Sequence, residues 1–195
     1  MNNQNIQDSV FLLMTYESIN YILSKNIEKK EKKDEIEELG MNLGEKVTNH
    51  LMNNNLNEGS NVSMKVTDNI LAFIAREVWI YIFKDENRKL KSDKKGVYYI
   101  LSGDIKLYNF LITEKNSENN EKLEAIIWFI SGILRGALLA FNIESLVTGS
   151  TKLWSNEEYG DNKNQISQSY LVFTFAINIV NFEFKYESEL IQNKI

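Results

Sequence analysis

The segment WFISGILRGALLAFNIESLVTGS, Trp128 to Ser150, constrains the fold more than any other part of the chain. Ile126, Ile127, Ile130, Leu134, Ala137, Leu138 and Phe141 recur at three- and four-residue spacings, the period of a helix. Polar side chains are nearly absent there, so most of the helix circumference is expected to be buried. Gly132 and Gly136 stand four apart on one face. Each costs about 1 kcal/mol against Ala inside a helix, which implies a backbone that another element approaches closely. Asn142 suits a left-handed helix cap. Ile143 to Thr151, with Val147, Thr148 and Thr151, has strand character. A buried helix is therefore expected to turn sharply into a strand.

A membrane span is the rival reading of the same residues. Ala125 to Phe141 barely reaches the length that crosses a bilayer. Arg135 sits inside it and would cost roughly 2.5–3.5 kcal/mol near the bilayer centre, so a buried soluble helix is preferred.

The rest of the chain supplies what such a helix needs to pack against. Val10 to Leu23 reads as a helix with two apolar stripes: Phe11, Met14, Tyr21 and Ile22 on one, Leu12, Ile19 and Leu23 on the other. Two stripes suggest contact on two sides, either with the core and a partner or wholly within the chain's own core. Lys25 to Glu35 is a run of mixed charge, read as a solvated linker or the exposed start of the next helix. Asp34 to Met52 is a second helix, with Ile36, Leu39, Gly40, Leu43, Gly44, Val47 and Leu51 on one stripe. Its glycines also lie four apart, which points to close helix contacts within the domain or across a dimer. Asn53 to Lys65 is a polar loop. Thr67 or Asp68 can cap a third helix with body Ile70 to Phe83. Asp85 to Lys95 reads as a polar exit. Gly96 to Leu101 and Ile105 to Ile112 read as a hairpin turning at Ser102-Gly103-Asp104. Tyr170 to Val180 alternates Leu171, Phe173, Phe175, Ile177 and Ile179 on one face. Phe182, Phe184 and Tyr186 resume the alternation one position out of step.

These elements predict an α+β domain with helices packed on one side of a four-stranded, mainly antiparallel twisted sheet. One domain over 1–195 is expected, with polar loops near 25–35, 114–122 and 152–168.

Composition narrows the function classes. A net charge of −5 and a pI near 5.1 argue against nonspecific nucleic-acid binding, so no nucleic-acid partner is expected. The absence of Cys removes disulfides, a thiolate nucleophile and Cys-bound metals, and fits the cytosol. Asn2 replaces the glycine that myristoylation needs, and no prenylation Cys is present, so membrane attachment is expected to be indirect. No phosphate-binding loop, dinucleotide fingerprint, HExxH or G-x-S-x-G motif occurs. His50, the one histidine, lacks acidic neighbours in sequence and reads as structural or exposed. Glu37-Glu38 and Glu157-Glu158 lie in polar stretches and read as surface charge. No catalytic, cofactor-binding or metal-binding residues are assigned.

The segment GILRGALLAFNIESLVTGS resembles the signature of the small subunits of the transport protein particle (TRAPP), a vesicle-tethering complex. The core Gly132 to Leu138 is similar in two subunit types, three and six, and Ile143 to Thr148 favours six. Leu39 to Gly44, Phe73 to Phe83 and Gly96 to Leu101 follow in matching order. The resemblance implies a non-enzymatic structural subunit that heterodimerises with a subunit-three type partner, burying faces of the first two helices. It implies contact with other TRAPP subunits, and with a Rab GTPase only through the whole complex, which performs nucleotide exchange in ER-to-Golgi and Golgi traffic. A cytoplasmic protein, peripheral at cis-Golgi and ER–Golgi membranes, follows, with a homodimer possible for the isolated chain. Carried onto this sequence, the partner-binding residues are Phe11, Met14, Ile22, Leu39, Gly40, Leu43, Gly44 and Val47. The subunit-three type holds a fatty acyl chain on a Cys, which this chain lacks. Asn142 stands where the family usually has Gly. The alternative is a stand-alone small-ligand or acyl-chain binding domain, because helices over a sheet can enclose an apolar cavity.

Overall fold

A computed structural model describes residues 3–57, 67–93, 97–102, 105, 118–155 and 169–182. α1 (Asn3–Ser24) and α2 (Lys29–Asn57) come first. The charge run Lys25 to Glu35 is mostly the first turns of α2, and it fastens the junction. Lys32 Nζ donates to Leu23 O at 2.7 Å, satisfying a carbonyl that the end of α1 leaves open. Lys25 Nζ reaches Glu35 Oε2 at 2.6 Å.

The third helix is interrupted. α3 (Thr67–Phe73) passes into a π-helical turn (Ile74–Val78) and then α4 (Trp79–Phe83). Trp79 N–H bonds Ile74 O, the five-residue span of a π turn. Arg76 and Glu77, the polar interruption in an apolar stretch, lie in this turn and pair with each other at 2.9 Å. The wide turn is braced by Arg88, whose Nε donates to Ala75 O at 2.8 Å. Lys84 ends α4 in the left-handed region at φ 53°.

α5 (Glu118–Leu139) is the helix of the central segment, and it runs parallel to α2 at very close range. Gly40 and Gly44 meet the backbone at Phe129 and Ile133, while Gly132 and Gly136 meet it at Glu37 and Met41. Both pairings advance in the same direction along the two helices. A β-carbon at any of the four would lie 2.0–2.1 Å from a carbonyl oxygen of the other helix. The two Gly-xxx-Gly motifs are thus one intramolecular device. Glycine's helix penalty is offset by backbone packing that no side chain allows. Arg135 extends along this seam to Glu37 at 2.9 Å.

After α5 the chain turns through Asn142, at φ 56°, whose N–H bonds Leu139 O at 2.8 Å. β3 (Ile143–Ser155) follows, four residues longer at its end than the strand expected from sequence. The sheet order is β1-β2-β4-β3, antiparallel throughout, with β1 Lys89–Ser92, β2 Tyr98–Ser102 and β4 Ser169–Phe182. Ile100, Ile143, Val147, Phe173, Phe175 and Ile177 are buried on the inner face, towards the helices. α5 lies on β3, where Ile127 crowds Gly149. With α2 on one side and the sheet on the other, α5 buries Ala125, Ile126, Phe129, Ile130, Ile133, Leu134, Ala137 and Leu138. That double coverage is why it reads as apolar nearly all round.

The expected hairpin of 96–101 with 105–112 is described only in its first strand. The two neighbours of β2 are β1 and β4. β1 lies in the stretch expected to be a polar exit. Ile105 is buried, and residues 106–112 lie outside the described residues. The break in alternation after Ile179 is a β-bulge: Ser145 pairs Ile179 while Glu144 pairs Asn181, which leaves Val180 as the extra residue.

Candidate partner interface

α1 presents different residues on its two sides. Thr15, Ile19 and Ile22 are buried, with Phe11 half-buried against the same core. Leu13, Met14 and Tyr21 are 46%, 66% and 66% exposed. Met14 and Tyr21 are seven residues apart, two helical turns, so they lie along one line of the outer surface. Lys25 stands 5.2 Å from the Tyr21 ring and is also paired with Glu35. That hydrogen bond raises the Lys25 pKa above its ordinary value.

α2 has a graded surface. Ile36, Gly40, Gly44 and Thr48 form the buried line against α5. Leu39, Leu43 and Val47 form the neighbouring line, half-buried and packed against the edge of the core. Asn42, Lys46 and Asn49 are exposed. The sequence-assigned interface therefore splits. Gly40 and Gly44 face α5, and Ile22 is buried in the chain's own core. Phe11, Leu39, Leu43 and Val47 are partly available, and Met14 is fully so.

A second surface feature surrounds Tyr81, which is 46% exposed. The His50 ring lies 6.2 Å from it, and Lys84 Nζ stands 5.2 Å over it on the α4 end. His50 Nε2 is 3.1 Å from Asn54 Nδ2. His50 is exposed, in accord with its sequence reading.

Asp85 escaped the sequence reading. It is buried at 2% exposure and accepts from Trp79 Nε1 at 3.1 Å, from Asn87 N at 2.9 Å and from the Ser102 hydroxyl. It ties the end of α4 to β2. Its sequence neighbours Lys84 and Glu86 give no hint of burial, because its partners lie six and seventeen residues away. Among the described residues no group of three His, Asp or Glu side chains could hold a metal ion. No helix among them is long and apolar enough to cross a membrane.

Known proteins resemble this arrangement. Residues 11–169 match the family described as transport protein particle (TRAPP) component. Human trafficking protein particle complex subunit 6A is 28% identical over 81 residues, covering 42% of this chain and 50% of that protein. Subunit 6b of Danio rerio is 25% identical over 84 residues, covering 43% of this chain and 52% of that one. The matched stretches span about half the length of these curated relatives. A solved structure of trafficking protein particle complex subunit 3 from Naegleria fowleri, covalently bound to palmitic acid, superposes with a TM-score of 0.65. It covers 93% of this chain and 99% of that one at 13% identity, a likeness of fold. The family match agrees with the sequence signature: the chain belongs to the TRAPP component family and is similar to its subunit-six type.

Proposed function

We propose that this chain is a structural subunit of a TRAPP vesicle-tethering assembly that pairs with a subunit-three type partner through the outer faces of α1 and α2. The supporting observation is the stripe of Leu13, Met14 and Tyr21 on α1, with the half-buried line Leu39, Leu43 and Val47 on α2. Apolar side chains of this size left outside a completed core mark a contact surface. The core of such an interface gains from burying Met and aromatic residues and excludes unpaired charge. The chain contributes a surface to the assembly and no catalytic group; Rab nucleotide exchange in ER-to-Golgi and Golgi traffic belongs to the whole complex. The protein works in the cytoplasm, peripheral to those membranes.

The test is the mass in solution of the chain co-expressed with its organism's subunit-three type protein. A 1:1 complex that is lost on Met14→Glu, and weakened on Leu43→Asp, supports the reading. Met14 is 66% exposed, so its variant keeps the fold, which circular dichroism verifies. A chain that stays alone with the partner present, or a complex indifferent to Met14→Glu, rejects it.

A further inference from the structure

The two edges of the sheet are built differently. β1, at one edge, has 4 residues and exposes Lys89 and Lys91. Short strands and lysines are what keep an edge from pairing with another chain. β3, at the other edge, has 13 residues and pairs with β4 from Ile143–Phe182 to Ser155–Ser169. Among the described residues no strand pairs with its opposite edge. Across its 13 residues it contains one Lys, Lys152, and no Arg or Pro. Its register irregularity sits at one end, between Glu144 and Ser145, and leaves the remainder regular.

The exposed side chains of β3 are also self-complementary. Glu144, Leu146, Thr148, Ser150 and Lys152 are exposed on the outer face, with Leu146 56% exposed. Glu144 and Lys152 are equidistant from Thr148. In an antiparallel pair of identical strands centred on Thr148, Lys152 of each faces Glu144 of the other, and Leu146 faces Ser150. A parallel pair would set Glu against Glu and Lys against Lys, which is destabilising. The antiparallel pair is closed by a two-fold axis, so it stops at two copies.

We infer that the outer edge of β3 pairs with β3 of a second copy of this chain, joining two four-stranded sheets into one across Thr148. This edge shares no residue with the α1 and α2 surface, so one chain can hold a second copy and a subunit-three type partner at once. Backbone hydrogen bonds supply the attraction, and the two Glu144–Lys152 pairs set the register.

Sedimentation velocity of the full chain, from micromolar to millimolar concentration, tests this with Glu144→Lys, Lys152→Glu and the double reversal. A reversible wild-type dimer is expected. Each single reversal turns two attractive pairs into two like-charge pairs and raises the dissociation constant about tenfold or more. The double reversal restores it. Circular dichroism of all four proteins reports the fold. A wild-type chain that is monomeric throughout overturns the inference. So does a dimer that survives both single reversals, or one that is lost only on Met14→Glu. Capture of the subunit-three type protein by the Glu144→Lys chain reads the α1 and α2 surface separately.

Discussion

Gly136 and Met41 mark the closest approach of α5 to α2: a β-carbon on Gly136 would lie 2.0 Å from the Met41 carbonyl oxygen. The obstacle is backbone, which cannot rotate away. Gly136→Ala therefore has to push two helices apart and loosen the packing on both sides of the seam. Overpacking of a core costs about 1–3 kcal/mol, and this exceeds the roughly 1 kcal/mol that Ala gains over Gly in helix propensity. We expect a net loss of stability in urea unfolding for Gly136→Ala and for Gly44→Ala. Asn42→Ala, on the exposed side of α2, should be neutral or slightly stabilising. Equal midpoints for all three would show that the helices are not held at this distance.

The Asp85 carboxylate lies where α4, β1 and β2 meet. Asp85→Ala strands two buried donors, the Trp79 indole N–H and the Ser102 hydroxyl. Each unpaired buried donor costs about 1–3 kcal/mol, so a loss of about 2–4 kcal/mol is expected in denaturant unfolding. Ser102→Ala removes one donor and leaves the acceptor with the other two, so it should cost less. A cost for Asp85→Ala below that for Ser102→Ala would contradict the network.

The four helical stripes, strands β2, β3 and β4 and the cap at Asn142 were legible in the sequence because each rests on local period or local backbone preference. The glycine spacing in α2 and α5 announced close helix contact but not its location. Spacing within a helix says nothing about which helix lies opposite, so Gly40 and Gly44 fitted a partner as well as they fitted α5. β1 was missed for a similar reason: Lys89 to Ser92 has poor strand composition, yet tertiary pairing made it a neighbour of β2. Asp85 was hidden because a polar residue among polar residues carries no periodic signal. The bulge at Val180 was readable as a slip of phase between Ile179 and Phe182, since a one-residue insertion is what reverses the alternation.

Tyr98 links β2 to the start of α3, donating to Asp68 Oδ1 at 2.5 Å. That hydrogen bond, then burial, then the Asp68 charge raise the phenol's pKa above its ordinary value of 10.0. A raised folded-state pKa favours the neutral form. The stabilisation is whole below the unfolded tyrosine value and is lost as pH rises through the folded one. Stability measured from pH 8 upward should therefore fall more steeply for the wild type than for Tyr98→Phe, which has no phenol to ionise. Parallel curves would mean that the Tyr98–Asp68 bond does not persist in solution.

Asn142 holds the turn from α5 to β3 at φ 56°, and its N–H and that of Phe141 bond the carbonyls of Leu139 and Leu138 at 2.8 and 2.9 Å. Any residue with a β-carbon is strained in this region, by about 1–2 kcal/mol for ordinary side chains and less for Asn. Asn142→Gly should therefore raise stability by up to about 1 kcal/mol, and Asn142→Val should lower it by about 1–2 kcal/mol. The effect is local to the turn, yet it sits where the buried helix hands over to the edge strand β3. A misplaced turn would shift β3 against β4, and a one-residue shift puts Leu146 and Thr148 towards the core in place of Val147. Thermal unfolding of the two variants separates these consequences. A lowered midpoint with unchanged strand content for Asn142→Val reports cap strain alone, whereas loss of strand signal reports slippage of β3. Equal stability of the Gly and Val variants would refute the left-handed turn.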